Sequence, residues 1–326
     1  MSNPHLSRRA FLVSAAAGCV AGCRNKPVAP QTQPAPQVEA DAPIPIIDIH
    51  QHTNYSGRPD ETLLAHQQRM GIAKTILLPA GTPVSLPSTH DGKSNGLAAQ
   101  TGGNESCYRV VQENPARYAF FANEVTDLPE ATRNIEKYLE LGAVGIGEQK
   151  FNVECDSAES ERIYDLAAAY GVPVLLHFQH GMYNKGFERF HRMLEKHRKT
   201  NFIGHAQTWW ANIDKDHANQ TVLYPKTKVT RGGLTERYLS DYPNMFGDMS
   251  AGSGLNSMMR DEDHARWFIA KHQDKLLYGS DCNDHAGTGP TCQGWMTIRT
   301  IGRLAPDQAA ERKILSGNAA RLMRLA

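Results

Sequence analysis

Several features that would settle a class at sight are missing from this sequence. No apolar run reaches the roughly 18–20 residues a helix needs to cross a bilayer, so any membrane attachment has to use another device. Charge of one sign is missing too. With 35 Lys+Arg against 34 Asp+Glu the formal net charge is +1, which provides no field for DNA, RNA or an anionic membrane surface. Cysteine is sparse, six residues in 326, and no CxxC pair occurs, which argues against a thiolate zinc site. Internal repeats and a second linker are likewise absent.

What is present begins at the N-terminus. Arg8-Arg9 precede an apolar stretch from Ala10 to Gly22, the positive n-region and short h-region of an export signal. Arg8-Arg9 with Phe11-Leu12 resembles a twin-arginine signal, and Val20-Ala21-Gly22-Cys23 resembles a lipobox, which implies cleavage before Cys23 and lipidation of its thiol. The segment 24–42 is dominated by Pro, Gln and Ala. It has little to bury against its ordering entropy and reads as a disordered, extended tether. The expected organisation is therefore a signal over 1–23, a tether over 24–42 and one catalytic domain over 43–326. That places the protein outside the cytoplasm, on the periplasmic or envelope side, held to the membrane only by lipid on Cys23. Cys107, Cys155, Cys282 and Cys292 remain in the body; an oxidising compartment permits three full pairings of four cysteines and the spacing does not choose among them.

Across 43–326 a short β-rich apolar run recurs, followed by a longer amphipathic stretch. The runs are 44–49, 74–78, 118–123, 143–147, 172–177, 201–205, 245–249 and 275–279, with helices expected near 59–71, 104–115, 128–141, 157–170, 183–198, 232–241 and 257–273. Continuous Ile, Val, Leu and Phe marks strands buried on both faces of a parallel sheet. Eight strand–helix alternations indicate an α/β fold, a single closed (β/α)8 TIM barrel, with an open doubly wound sheet as the competitor. The longer connections 80–103 and 206–231 are candidate substrate-covering loops.

The first run ends Ile47-Asp48-Ile49-His50-Gln51-His52. Residues two apart on a strand share a side, so His50 and His52 can grip one ion. The fifth and sixth runs close on His177 and His205, and the eighth leads through Gly279-Ser280 into Asp281. In a barrel these strand ends converge on the face that carries active sites. Imidazole suits zinc, and also iron, manganese or nickel according to the other ligands.

HxH on strand one, His on five and six and Asp in a GSD on eight together resemble the amidohydrolase superfamily. The C-terminal Lys313–Leu322 segment resembles the closing helix of its amidohydrolase-related branch. The resemblance implies a divalent metal cofactor, Zn2+ foremost, as one or two ions. It makes His50, His52, His177 and Asp281 ligands and His205 a ligand to a second metal or a substrate-polarising group. Asp281 is then also the general base that takes a proton from metal-activated water. On strand four, Gly145-Ile146-Gly147-Glu148 is similar to the GxGE order of TatD-like hydrolases, which favours Glu148 as a bridging ligand; Lys150 shares its parity and is the second choice.

Other polar residues are weaker candidates. Asp248 can bind substrate or cap a loop, Gln179 and His180 can line the pocket, and Trp209 and Trp210 can wall it or pack a loop. Asn283 and His285 can hydrogen-bond to the ligands, while Asp48, just ahead of the histidine pair, is expected to face away from it and to be structural.

The function these residues favour is metal-dependent hydrolysis of a small-molecule amide, lactone or ester bond. The alternative is a non-oxidative decarboxylase of the aminocarboxymuconate-semialdehyde decarboxylase type, for which Lys150 or Arg231 would meet the substrate carboxylate. A lipoprotein that binds a ligand without turnover is a third reading, and near-neutral charge argues against a nuclease. The expected partner is a small-molecule substrate, with a homo-oligomer possible. Replacing Arg8 and Arg9 by lysine is expected to hold the precursor in the cytoplasm. Cell fractionation checks this, and normal export of the variant contradicts the twin-arginine reading.

Overall fold

In a computed structural model of the chain the described residues are 43–82 and 101–325. The expected signal over 1–23 with Cys23, the expected tether over 24–42 and most of the 80–103 connection lie outside them.

All eight apolar runs form strands: β1 Ile46–Gln51, β2 Ile72–Leu77, β3 Tyr118–Phe120, β4 Ile146–Gln149, β5 Val174–His177, β6 Phe202–His205, β7 Met245–Asp248 and β8 Leu276–Leu277. Each pairs in parallel with its sequence neighbour, in the ladders β1-β2-β3 and β4-β5-β6-β7-β8. Backbone bonds join the two ladders. Val144 N donates to Phe120 O (2.8 Å) and Gly147 N to Ala122 O (2.9 Å) between β3 and β4, while Ile49 N donates to Tyr278 O (3.2 Å) between β1 and β8. The ring is closed, so the fold is a (β/α)8 barrel and the open sheet is excluded.

The helices depart further from expectation. They are α1 Asp60–Arg69, α2 Asn104–Glu113, α3 Ala131–Glu140, α4 Ala158–Tyr170, α5 His191–Lys196, α6 Ala206–Ala211, α7 Leu234–Asp241, α8 Ala251–Met259, α9 Glu262–His272, α10 Gln293–Leu304, α11 Gln308–Arg312 and α12 Asn318–Met323. The single helix expected over 257–273 is two. Asp261 breaks it by leaving helical geometry and accepting from His264 N (3.3 Å) as the cap of α9. The helix expected over 183–198 is reduced to α5 and a short turn at Phe187–Arg189, entered through Gly186 at φ +90°. The 206–231 connection opens with α6, which sequence periodicity does not reveal.

Two cores flank the sheet. The inner one takes Ile47, Ile49, Ile76, Leu78, Phe121, Leu175, Ile203, Phe246 and Leu277 from the strands, and Ala319, Leu322 and Met323 from the C-terminal segment. Asn318 Nδ2 anchors α12 beneath the barrel by donating to Leu276 O (2.8 Å). With the bottom filled by apolar side chains, the polar residues at the strand C-termini are left to the opposite end.

Trp209 and Trp210 belong to the outer core. Trp209 is fully buried, stacks against Phe178 at 6.5 Å and lies against Gly204, where a Cβ would come within 2.4 Å of its ring. Trp210 is buried on Phe268 and donates from Nε1 to Asp248 O (2.8 Å). Packing, rather than a pocket wall, is their role.

Candidate metal centre

The strand-end residues singled out in the sequence converge. His177 and His205 end adjacent strands and are partners in register, with ring centroids 5.2 Å apart. His50 packs on His205 at 4.5 Å and on His52 at 5.2 Å. Asp281 lies four residues beyond β8, yet its N–H donates to His50 O (2.8 Å). That bond brings it to the end of β1, with a left-handed φ of +43°.

Glu148 stands at the centre. Its Oε2 is 3.7 Å from His50 Nε2 and 3.8 Å from His52 Nε2, while its Oε1 is 2.5 Å from His177 Nδ1 and 3.6 Å from His205 Nε2. Asp281 spans the same two groups, Oδ1 at 3.8 Å from His50 Nε2 and 3.6 Å from His52 Nε2, Oδ2 at 3.8 Å from His205 Nε2. Lys150 does not enter this set. Its Nζ sits 5.6 Å over the Tyr183 ring, which in turn packs edge-on to His177.

A β-bulge makes the arrangement on β1 possible. Asp48 pairs with Thr75 but Gln51 with Leu77, so three steps on β1 face two on β2. Simple alternation would place Asp48 on the side of His50 and His52. The bulge turns it away, so its expected orientation holds for a reason the spacing does not show. The Asp48 carboxylate accepts from Ser280 N (2.8 Å), Ser280 Oγ (2.5 Å), His50 N (3.1 Å) and Gln67 Nε2 (3.1 Å), fastening β1 to the segment that carries Asp281. Buried Arg58 supports the same seam by donating to Gln51 Oε1, Cys282 O and Asp284 O.

The imidazoles are oriented from behind. His52 Nδ1 donates to Leu78 O (2.8 Å), which leaves Nε2 as the lone-pair side facing Glu148 and Asp281. Asp248 Oδ2 lies 2.7 Å from His50 Nδ1 and 3.1 Å from His205 Nδ1, and accepts from Ser250 Oγ (2.7 Å). One carboxylate thus turns two Nε2 atoms inward, an arrangement typical behind metal-ligating histidines. Its other oxygen accepts from Ser250 N (2.9 Å), so Asp248 caps the loop after β7, as one of its two expected roles had it, while also orienting both rings. The available signal was its position, the last residue of β7 on the same rim as His177 and His205. Tyr55 had no signal. It lies in the loop after β1, packs edge-on to His52 at 4.9 Å and donates from its hydroxyl to Asp281 Oδ1 (3.0 Å).

Three carboxylates in so enclosed a place create a strong negative potential. Burial opposes the charge of Glu148, but Lys150 nearby and the hydrogen bond from His177 hold its carboxyl well below the usual range. Burial likewise opposes Asp281, which His50 and His52 bring down to about 2. His177 is held neutral, its value lowered to about 4 by burial and by Lys150. Asp281 is also the open member, with 15 % of its side chain exposed against 0–4 % for the other five.

The remaining candidates fall outside this cluster. Gln179 touches it through Oε1, 3.4 Å from His177 Nε2, and with His180, Asn184, Thr208, Asn212 and Gln220 lines an adjacent cavity of about 290 Å3. Asn283 donates to Ser56 Oγ and His285 is engaged through its carbonyl by Arg69, so neither supports the ligands as anticipated. The Arg231 guanidinium stacks 4.0 Å over Trp267 of α9, where the aromatic face occupies it.

No protein family and no curated protein matches the sequence. Solved structures do match in fold. One is a 2,6-dihydroxybenzoate decarboxylase from Rhizobium, with a TM-score of 0.56, 15% identity, and 86% of this chain and 99% of that one covered. A second is a probable 2-pyrone-4,6-dicarboxylic acid hydrolase from Acinetobacter baumannii, crystallised with citric acid, at 0.55 and 12%, covering 86% and 99%. A third is a dihydroxybenzoic acid decarboxylase from Polaromonas with bound manganese and the inhibitor 2-nitroresorcinol, at 0.51 and 15%, covering 86% and 97%.

Asp248→Asn keeps the volume but removes the charge that orients His50 and His205. The expected outcome is an intact fold with metal affinity lowered about 10–100-fold, read by chelator-competition titration. Unchanged affinity would show that Asp248 does not hold the imidazoles for an ion.

Proposed function

We propose that this chain is a metal-dependent hydrolase of the amidohydrolase superfamily, acting on an amide, lactone or ester bond of a small molecule. The observation that carries the reading is a set of orphaned atoms. His50 Nε2, His52 Nε2 and Glu148 Oε2 are buried without a hydrogen-bond partner, although each would lose about 1–3 kcal/mol if left so. Each of the two Nε2 atoms lies 3.6–3.8 Å from Glu148 Oε2 and from Asp281 Oδ1, spacings that donor atoms around a common ion adopt and that direct hydrogen bonds do not.

The donors fall into two sets: His50, His52 and Asp281 would hold one ion, and Glu148, His177 and His205 a second. A divalent ion bound there polarises a carbonyl and lowers the pKa of water from 15.7 to about 7. The chain's own part is then positioning and proton transfer. Asp281, the solvent-open carboxylate, accepts the proton from the attacking water at its Oδ2 while Tyr55 steadies Oδ1. Lys150 sets a positive charge at the rim, suited to an anionic group on the substrate. The cavity beside Gln179 offers amide and hydroxyl partners to a small polar molecule.

The fold likeness to decarboxylases and the position of Lys150 support the second reading, non-oxidative decarboxylation at a single metal. Metal content separates the two. Wild-type protein is expected to hold at least one more equivalent than Glu148→Ala by elemental analysis, and equal contents would favour the one-metal decarboxylase. Asp281→Asn is expected to keep the fold and lower turnover of a hydrolysed ester or lactone at least 100-fold in a pH-stat assay. Retained turnover would remove Asp281 as the base.

A further inference from the structure

A second cluster lies on the far side of the Asp281 segment. His66 of α1, Cys282 beside Asp281, and Cys292 at the start of α10 are all buried. The Cys282 and Cys292 sulfurs are 3.8 Å apart, and Cys292 Sγ is 3.5 Å from His66 Nε2. A carboxylate oxygen of Asp284 stands 3.9 Å from the same Nε2, and Met70 Sδ lies 3.7 Å from Cys292 Sγ. Cys107 and Cys155 take no part: they are buried elsewhere, against Thr53 and the Gly186 carbonyl.

These spacings have a specific meaning. A tetrahedral ion with metal–sulfur bonds of about 2.3 Å and metal–nitrogen bonds of about 2.0–2.1 Å places two thiolates about 3.8 Å apart and a thiolate about 3.5 Å from an imidazole nitrogen. A disulfide needs its sulfurs about 2.05 Å apart, so the pair would have to close by nearly half the distance between them. Two thiols and an imidazole, with a carboxylate beside them, form a soft donor set suited to Zn2+.

We propose that His66, Cys282 and Cys292 form a structural zinc site separate from the histidine–carboxylate centre, with Asp284 beside it on the His66 side. The site ties α1 and the start of α10 to the residue that follows Asp281. Main-chain strain at Asp281, whose φ is +43°, is thereby held from one side by the ion and from the other by His50 O. The absence of CxxC does not exclude it, because the ligands come from three separate segments.

The test uses full-length protein loaded with Co2+, whose thiolate complexes absorb in the near ultraviolet through sulfur-to-cobalt charge transfer. Imidazole and carboxylate ligands alone cannot give that band, so the result is independent of whether the proposed catalytic centre is correct. The band is expected in wild type, in Cys107→Ser and in His177→Ala, and to fall at least fivefold in Cys292→Ser. Should Cys292→Ser fail to fold, His66→Gln, which keeps both thiols, must still shift or weaken the band. A wild-type protein without the band, a band unchanged in His66→Gln, or a Cys282–Cys292 disulfide in the non-reduced peptide map would each overturn the proposal.

Discussion

Glu148 is buried at the rim of β4 with its two oxygens turned toward different histidine pairs, Oε2 to His50 and His52 and Oε1 to His177 and His205. An ionised carboxylate in so dry a place persists only with positive charge around it. Lys150 provides part of that charge from the rim. The inward nitrogens of His50 and His52 are buried without a hydrogen-bond partner, while Asp248 and Leu78 O occupy the outward side of each ring. The interior of the site is therefore built around a demand for cations. Asp248, Ser250, Tyr55 and the β1 bulge are the means by which the donors are held against their mutual repulsion.

The barrel supplies the scaffold for this at little local expense. Parallel strands deliver their last residues to one ring, and in-register pairing of β5 with β6 sets His177 beside His205 without any special turn. The β1–β8 seam is reinforced by side chains. There β8 is two residues long, and Asp48, Ser280, Gln51 and Arg58 replace the missing ladder with a buried hydrogen-bond network. Asp281 hangs from that seam, which explains why so many polar groups are spent on it, and why a thiolate site just beyond it would matter to the geometry of the same carboxylate.

Much of the architecture was legible in the residue order. Continuous apolar runs marked the eight strands, since burial on both faces removes alternation, and HxH, His177, His205 and Asp281 stood at equivalent strand ends. Helix limits were less legible. The 183–198 stretch is periodic enough for a helix, but Gly186 at positive φ and the pairing of Gln179 with Tyr183 hold its first half in turns. Trp209 and Trp210 carry no mark in the sequence that separates a pocket wall from a core; the close approach of Trp209 to Gly204 decides it.

The sequence by itself determined the fold class and the chemistry of the rim, because both follow from periodicity and from residue type at strand ends, which are local properties. Tertiary structure alone decided that Asp248 orients two of the histidines and that Asp48 is turned outward by a bulge. It also brought His66 to Cys282 and Cys292. Each of those outcomes depends on a register shift or on a contact between segments far apart in the chain, and a linear order holds no record of which distant donor atoms will come within bonding distance.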